Sequence, residues 1–320
     1  MHAIVLAGGY ATRLWPITKN RPKMLLPVGD RTIIGTIFDA LERESRIDEV
    51  YVSTNEAFAD TFESYLEDAD YEKPQLSIED TTQEAEKFGV IGALAQLIER
   101  ENLTEDTLII AGDNLISFDV SEFIDTFQAH GDPTLAAYDV GSYDLATQYG
   151  ILEIEDGAVV DFEEKPDDPD STLASIACYA IPGEMLSLFD QYLDGDNNPD
   201  ELGWFIKWLQ GRETVRAFTF EDAWFDIGTP ESYLDAVAWY LEGESYVAPS
   251  ANLDGATIGE NVQVLDGVEL SDTVIENSVV FPEAEITACE IRRSIIDRDT
   301  QIEGVNLSDA QIGAHTQFGY

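Results

Sequence analysis

Beyond residue 250, apolar residues recur at intervals of five or six positions, and this spacing restricts the fold more than any other feature of the sequence. An α-helix places apolar residues three or four positions apart, and a half-buried strand places them at every second position. Short strands wound into a triangular coil give the observed interval, because each side of the coil points one apolar residue at the axis. The pattern predicts a parallel β-helix over 250–320, with a run of irregular short strands as the alternative. Its inward residues would be Ile258, Val264, Leu270, Ile275, Val280, Ile286, Ile291, Ile296, Ile302, Leu307 and Ile312.

Strands and helices alternate over the first 140 residues. The segment AIVLAGG at 3–9 is a short apolar strand that ends in a glycine pair. The alternation that follows is typical of a doubly wound, Rossmann-like α/β fold, in which ligands bind beyond the carboxyl ends of the strands. We expect later strands at 48–55, 75–79, 107–114 and 133–140, and helices at 31–44, 56–67, 89–100 and 121–129.

Paired strands replace this alternation after residue 145. The segment 149–166 predicts a hairpin that turns at Asp156-Gly157, and a further strand at 175–182 makes the sheet a mixed one. Helical periodicity stops at 243–249. We therefore predict a catalytic domain over 1–242 and a β-helix domain over 250–320.

The opening of the chain is basic although the protein is strongly acidic. The chain has 64 acidic and 17 basic residues and a formal net charge of −47, yet its first acidic residue is Asp30. Before that position stand Arg13, Lys19, Arg21 and Lys23. Backbone amides of a glycine-rich turn bind anions, and arginine and lysine add charge for phosphate oxygens. The segment predicts a phosphate-binding loop, with an ordinary strand-to-helix turn as the alternative.

The overall charge limits the other classes of partner. Acidic residues are spread along the chain, which favours a protein adapted to high salt. Nucleic acid is disfavoured because 17 basic residues cannot form a broad basic surface. The sequence has no apolar run of membrane-spanning length and no signal-peptide pattern at residue 1, so we expect a cytoplasmic protein. Cys178 and Cys289 are expected to be free, partly buried thiols.

One segment resembles a known family. LAGGYATRLWPITKNRPKMLLPVGD, at 6–30, is similar to the signature of the sugar-1-phosphate nucleotidylyltransferases, and related segments follow in order as EKFGVIGAL, AGDN, YGIL, FEEKP and WFDIGTPESY. The resemblance covers residues 1 to about 242. It implies that the terminal coil is a left-handed β-helix, since many members carry one.

The resemblance also implies roles for individual residues. Arg13, Lys23 and Lys165 would be catalytic, and Asp113 and Asp226 would hold Mg²⁺, which prefers oxygen ligands. The sugar phosphate would lie against Gly150, Glu164, Lys165 and Tyr179, with Glu201 as a further match. The nucleotide would lie against Ala7, Gly8, Gly9, Thr12, Gln83 and Gly89.

The implied reaction joins a nucleoside triphosphate to a sugar 1-phosphate with release of pyrophosphate. We favour dTTP or UTP with glucose 1-phosphate. GTP with mannose 1-phosphate is the alternative. Met24 stands where thymidylyltransferases of the family have glutamine, so the identity of the base stays open. A non-catalytic, sugar-nucleotide-binding regulator and a bifunctional enzyme with an acetyl-transferring β-helix are further hypotheses. We expect the chain to form a homo-oligomer.

Overall fold

The structure is a computed structural model that describes residues 1–9, 11–79 and 89–319. Two compact units divide these residues. The sheet unit comprises Met1–Gly8, Ile37–Gly112 and Ile116–Trp224, and the coil unit comprises Gly9–Thr36, Asp113–Leu115 and Phe225–Tyr320. The chain passes from one unit to the other several times, so neither unit is a continuous stretch of sequence. The domain boundary at 242–250 remains a prediction.

The first part of the chain contains every described helix. The helices are α1 (Ile33–Arg43), α2 (Glu56–Asp68), α3 (Gly89–Arg100), α4 (Val120–His130), α5 (Tyr143–Ala146), α6 (Leu188–Leu193), α7 (Leu202–Gln210) and α8 (Pro230–Leu241). The strands among them are β1 (His2–Leu6), β2 (Pro27–Val28), β3 (Arg31–Thr32), β4 (Glu49–Asn55), β5 (Pro74–Glu79), β6 (Thr107–Ala111), β7 (Asn114–Ile116), β8 (Thr134–Asp139), β9 (Gly150–Glu155), β10 (Ala158–Glu164), β11 (Leu173–Ile181), β12 (Arg216–Phe220) and β13 (Trp224–Asp226).

A nine-stranded mixed sheet forms the sheet unit, in the order β5-β4-β1-β6-β11-β8-β12-β10-β9. Strands β5, β4, β1 and β6 are parallel, whereas β11 is antiparallel to both β6 and β8. The Rossmann-like fold with a mixed sheet is thus confirmed. Strand β6 is shorter than expected, because the chain turns at Gly112 and Asp113 before β7. The hairpin of β9 and β10 turns at Asp156 and Gly157, both with positive φ as a tight hairpin turn requires.

The coil unit contains a parallel β-helix, as the spacing predicted. Its strands are β14 (Tyr246–Val247), β15 (Asn252–Asp254), β16 (Thr257–Ile258), β17 (Gln263–Val264), β18 (Glu269–Ser271), β19 (Val274–Glu276), β20 (Val279–Val280), β21 (Glu285–Thr287), β22 (Glu290–Arg292), β23 (Ile295–Ile296), β24 (Gln301–Glu303), β25 (Leu307–Ser308), β26 (Gln311–Ile312) and β27 (Gln317–Phe318). They form three parallel sheets. Glu269 pairs with Glu285 and Glu285 pairs with Gln301, so one coil takes 16 residues over three sides.

The expected inward residues line the axis of the β-helix. All eleven belong to a single apolar cluster, in which the residues from Val264 to Ile302 are buried and Ile258, Leu307 and Ile312 are partly buried. The partly buried residues lie in the first and the last coils, where neighbouring coils are fewer. Cys178 and Cys289 are both free, and both are buried rather than half-exposed. No helix in the part of the chain that the structure describes is long and apolar enough to cross a membrane.

Candidate active site

In the coil unit, Lys23 lies near two carboxylates. Lys23 opens a 3-10 turn over Lys23–Leu25, and its ammonium group forms an ion pair with the carboxylate of Asp113. Asp226 ends β13 and lies close enough to attract the same cation. The backbone amide of Ile227 donates to the carbonyl oxygen of Asp113 at 3.0 Å, which holds the two aspartates side by side. The sequence-predicted residues Lys23, Asp113 and Asp226 therefore come together.

The electrostatics of this cluster favour a charged lysine. Burial opposes the charge on Lys23, but the carboxylates of Asp113 and Asp226 outweigh burial and raise the pKa of the lysine above its ordinary value. The guanidinium of Arg13 lowers the pKa of Lys23, so Arg13 also lies near this lysine. The cluster holds a fixed positive charge that is mostly buried, with an exposed arginine nearby.

Asp113 and Asp226 fit a Mg²⁺ ion. Magnesium in nucleotide enzymes is held by one or two carboxylates, by waters and by phosphate oxygens of the substrate. Two carboxylates that converge on one cation, Lys23, supply this donor set. No group of three or more Asp, Glu, His or Cys side chains that could hold a metal ion occurs within 1–9, 11–79 and 89–319. Asp113 and Asp226 would therefore be ligands from the chain, completed by substrate oxygens.

The glycine-rich loop is divided between the two units. In the coil unit, Ala11 has a φ of 49°, a left-handed conformation that glycine adopts more readily. The hydroxyl of Thr18 donates to the carbonyl oxygen of Ala11 at 2.7 Å, and a 3-10 turn over Thr12–Leu14 follows. Thr12 and Arg13 are exposed on this turn, and Gly9 precedes it. An exposed arginine on a strained turn is suited to contact an anion from solvent.

In the sheet unit, Ala7 and Gly8 follow the carboxyl end of β1. The side-chain amide of Asn55 donates to the carbonyl oxygen of Gly8 at 2.9 Å. Glu79, at the end of β5, is 8% exposed and lies beside Gly8, because a methyl group at Gly8 would be 3.5 Å from Glu79 Oε1. The hydroxyl of Ser53 donates to the same oxygen at 3.1 Å.

Sequence reasoning missed Glu79. Burial raises the pKa of its carboxyl above the ordinary value, and the hydrogen bond from Ser53 offsets this only in part. The available signal was its position, since an acidic residue that ends a strand of a parallel sheet lies at the ligand-binding edge. Two further residues were expected to contact the nucleotide. Gly89 begins α3 with a φ of 77°, and Gln83 lies outside the described residues.

A second cluster of the sheet unit surrounds Glu164. A methyl group at Gly150 would lie 2.8 Å from Glu164 Oε2, and one at Gly203 would overlap the same atom. Both glycines therefore make room for this carboxyl, Gly150 at the start of β9 and Gly203 in the first turn of α7. Lys165, with a φ of 48°, donates from Nζ to Glu201 Oε1 at 2.5 Å. Glu201 and Gly203 thus join Gly150, Glu164 and Lys165 in one place.

Burial and the neighbouring Glu201 raise the pKa of Glu164, and Lys165 opposes that shift. Glu201 then accepts a hydrogen bond from the Glu164 carboxyl: burial opposes the charge on Glu201, but Glu164 and Lys165 outweigh burial and lower its pKa. Tyr179 is buried on β11, and its hydroxyl lies 3.2 Å from that of Ser175. Burial also raises the pKa of Tyr179, with Glu164 and Glu201 adding to the effect. The cluster presents a neutral carboxyl, a carboxylate and an ammonium group, which together suit sugar hydroxyls and a phosphate.

The described residues thus gather the predicted positions into two groups, one in each unit. Arg13, Lys23, Asp113 and Asp226 belong to the coil unit, and Gly150, Glu164, Lys165 and Tyr179 belong to the sheet unit. The role of each residue remains a prediction.

Comparison with known proteins gives matches over most of the chain. The family model described as nucleotidyl transferase matches residues 2–243. A protein of Sulfolobus acidocaldarius, provisionally named as a mannose-1-phosphate guanyltransferase, is 27% identical over 85% of this chain and 75% of its own length. The bifunctional protein GlmU of Methanococcus vannielii is 26% identical over 100% of this chain and 79% of its own.

A solved structure has the same fold. It comes from Bacillus anthracis, and its title assigns the protein provisionally as a glucose-1-phosphate thymidylyltransferase in complex with sucrose. The superposition gives a TM-score of 0.64 with 24% identity, over 75% of this chain and 95% of the other. At that level of identity the likeness supports the fold alone.

Proposed function

The chain belongs to the nucleotidyl transferase family and is a sugar-1-phosphate nucleotidyltransferase, and from this premise we propose that it uses dTTP or UTP with glucose 1-phosphate. The observation that carries the proposed site is the ion pair of Lys23 with Asp113, with Asp226 close enough to attract the same cation. Transfer of a nucleotidyl group is catalysed chiefly by positioning and by charge neutralisation, so a fixed cation beside two metal-binding carboxylates supplies what the reaction needs.

The proposed reaction requires no nucleophile from the protein. An oxygen of the sugar phosphate attacks the α-phosphorus of the triphosphate, and the bond to the β-phosphate oxygen breaks to release pyrophosphate. Lys23 and Arg13 would neutralise the charge on the phosphates, and Asp113 and Asp226 would hold Mg²⁺. When bound, Mg²⁺ supplies further charge neutralisation at the phosphate oxygens. Glu164, Lys165 and Glu201 would orient the sugar phosphate.

Glu79 supports a pyrimidine base. An uncharged carboxyl has one O–H donor and one carbonyl acceptor, which complement the O4 and N3–H groups of uracil or thymine. The raised pKa of Glu79 favours this uncharged form, and its place beside Gly8 puts it next to the expected nucleotide loop. UTP or dTTP is therefore the first candidate.

Glu79 also gives the strongest support to the second candidate, GTP with mannose 1-phosphate. An ionised carboxylate accepts two hydrogen bonds, which suits the N1–H and N2–H donors of guanine. If these two donors stabilised the ionised form of Glu79, its proton would be released to solvent and the site would suit GTP, with mannose 1-phosphate as the expected sugar. The Sulfolobus acidocaldarius relative carries a guanyltransferase name.

A substrate panel tests both candidates. Pyrophosphate release is measured with each of dTTP, UTP, GTP, ATP and CTP against glucose 1-phosphate, mannose 1-phosphate and N-acetylglucosamine 1-phosphate, in Mg²⁺ and molar KCl. We expect the highest kcat/KM with dTTP or UTP and glucose 1-phosphate. A higher value for GTP with mannose 1-phosphate would select the second candidate, and no turnover with any pair would refute the proposed activity.

A single substitution separates the two roles of Glu79. Glu79→Gln fixes one donor and one acceptor, so it should retain pyrimidine turnover and lower GTP turnover by about tenfold, the effect of one or two lost hydrogen bonds. Equal losses with all nucleotides would show that Glu79 does not contact the base. Glu72→Gln, at an exposed position before β5, is the matched control.

We also propose that the protein is adapted to high salt and forms a homo-oligomer. The charge of −47 supports the first statement, because dense acidic surfaces repel themselves in dilute buffer. Light scattering after size exclusion in molar KCl tests the second, and a mass of 35.4 kDa would identify a monomer.

A further inference from the structure

Arg21 belongs to the basic opening segment but has no role in the proposed site. It lies two residues before Lys23, with Pro22 between them. Its Nη2 donates to Oδ1 of Asp297 at 2.5 Å, and both side chains are mostly buried, at 20% and 4% exposure. Asp297 directly follows strand β23 of the β-helix. The basic segment is thus tied to the β-helix within the coil unit.

The guanidinium of Arg21 also stacks on an aromatic ring. Its central carbon lies 4.4 Å from the centroid of Phe281, which follows β20 on the neighbouring coil and is 3% exposed. The same Asp297 oxygen accepts a hydrogen bond from the backbone amide of Arg298 at 2.8 Å. A buried carboxylate is stable only with such partners, and Arg21 supplies its counter-charge. Arginine suits this place because its planar group both pairs and stacks.

A second contact with the β-helix lies at the other end of residues 21–29. We call this contact and the Arg21–Asp297 pair the two anchors of the segment 21–29. The backbone amide of Gly29 donates to Oε1 of Gln263 at 2.8 Å, and Gln263 is fully buried on strand β17. Between the anchors, Leu26 and Val28 share an apolar cluster with Val279 and Ile295. Strands β17, β20 and β23 lie in the same sheet of the β-helix. Lys23 therefore lies on a segment that is attached at both ends to one side of the coil.

We infer that Arg21 is a positioning residue, through which Asp297 and Phe281 of the β-helix hold Lys23 at Asp113 and Asp226. The inference rests on the proposed role of Lys23. Catalysis by charge neutralisation depends on placement within a fraction of an ångström, so a catalytic lysine on a loop needs support from a rigid element. The β-helix supplies that support through Asp297 and Phe281.

The competing explanation is that the Arg21–Asp297 ion pair only stabilises the fold. The two explanations predict different effects on stability and on the catalytic rate. Loss of a structural pair lowers the midpoint of thermal unfolding and leaves the rate of the folded enzyme unchanged. Loss of a positioning pair lowers kcat at temperatures where the variant is fully folded. Lys23 would also become more accessible to an acylating reagent.

The experiment uses the full chain with its best substrate pair. Asp297→Asn keeps the shape of the side chain and removes the charge, and Arg21→Lys keeps the charge but removes the fork and the stacked plane. We expect Asp297→Asn to lower kcat at least about tenfold and Arg21→Lys at least about threefold, with both KM values within about threefold of the wild type. Acetylation of Lys23 by sulfo-N-hydroxysuccinimide acetate, followed by peptide mass spectrometry, should be faster in both variants.

Two variants of the β-helix serve as controls. Asp309→Asn breaks an exposed pair, in which Arg293 Nε lies 3.1 Å from Asp309 Oδ1. Ile286→Val removes one methyl group from the axis and lowers stability away from the anchors. Both should keep kcat within twofold of the wild type when they are assayed below their unfolding midpoints.

The outcomes distinguish the inference from the proposed function. A kcat for folded Asp297→Asn within twofold of the wild type would overturn the inference, and so would an equal loss in Ile286→Val. If Asp297→Asn does not fold, Arg21→Lys decides the question, and a wild-type kcat in that variant overturns the inference. Lys23→Ala is measured alongside. Normal turnover in Lys23→Ala would instead refute the proposed site.

Discussion

The ammonium group of Lys23 is paired with the carboxylate of Asp113, and Asp226 attracts the same cation. One lysine thus neutralises part of the charge of two aspartates in the absence of substrate. Asp113 and Asp226 would hold Mg²⁺, which would supply further charge neutralisation at the phosphate oxygens, and Lys23 would neutralise charge on the phosphates of a bound triphosphate. Charged groups that already lie close together need little rearrangement for the reaction.

Removal of a charge from this cluster, at Asp113 or at Arg13, should therefore lower the rate severely. We expect Asp113→Ala and Arg13→Ala each to lower activity by at least about 100-fold, the effect of losing a metal ligand or a charge clamp. Steady-state pyrophosphate release over a range of Mg²⁺ concentrations measures it, and excess Mg²⁺ should restore Asp113→Ala more than Arg13→Ala. Glu221→Gln, which removes a charge at an exposed position, is the control. A near-normal rate in either alanine variant would count against the assignment.

Gly203 should matter because Glu164 occupies the space beside it. A methyl group at Gly203 overlaps Glu164 Oε2, so Gly203→Ala must displace that carboxyl. We expect the KM for sugar 1-phosphate to rise about tenfold, as for one lost hydrogen bond to a charged group, with the KM for the nucleotide unchanged. Initial rates with each substrate varied in turn measure both values.

Gly211→Ala is the matched control for this substitution. Gly211 caps the other end of α7 with a right-handed backbone, and the nearest atom to a methyl group there would be 3.6 Å away. Alanine also favours a helix over glycine, so neither change should weaken α7 itself. Equal sugar KM values in the two variants would show that Glu164 does not need the space at Gly203.

The Glu164 carboxyl should make stability depend on pH. Burial and Glu201 raise its pKa from 4.5 to about 8, so the folded state binds a proton that the unfolded state releases. Stability from this group is complete below about pH 4.5 and is lost as the pH rises to about 8. The contribution of Glu201 to stability has the opposite pH dependence. It changes only at acid pH, because the pKa of Glu201 is lowered.

Glu164→Gln tests this dependence. The quantity compared is the midpoint of thermal unfolding of the variant minus that of the wild type. This difference should be larger at pH 9 than at pH 6 by at least about 2 °C, because glutamine releases no proton. Differential scanning calorimetry at both pH values measures the change. Glu163→Gln, at an exposed position on the same strand, should show no such change. If the difference between Glu164→Gln and the wild type is the same at pH 6 and at pH 9, the Glu164 carboxyl is not protonated in the folded state.

Local patterns predicted much of the fold, and distant contacts could not be predicted. The axis residues of the β-helix repeat within 16 residues, and Asp156-Gly157 joins adjacent strands, so each pattern lies within a short segment. Arg21 and Asp297 are 276 residues apart, and nothing near either residue indicates the other. Glu79 and Gly8 come together only because β5, β4 and β1 are neighbours in the sheet. Strand order therefore decided the contact between Glu79 and Gly8, and packing of the opening segment on the β-helix decided that between Arg21 and Asp297.

The acidic surface leads to the last prediction, which concerns salt. At 0.1 M salt the screening length is about 10 Å, so the 64 acidic residues repel one another across the surface, whereas at 1 M it is about 3 Å. We expect the midpoint of thermal unfolding to rise by on the order of 10 °C between 0.1 M and 2 M KCl. A combined Asp167→Asn, Asp168→Asn and Asp170→Asn variant, which loses three exposed charges, should show a smaller rise. A midpoint that does not change or falls with KCl would contradict salt adaptation, since relief of self-repulsion is the physical reason for the rise.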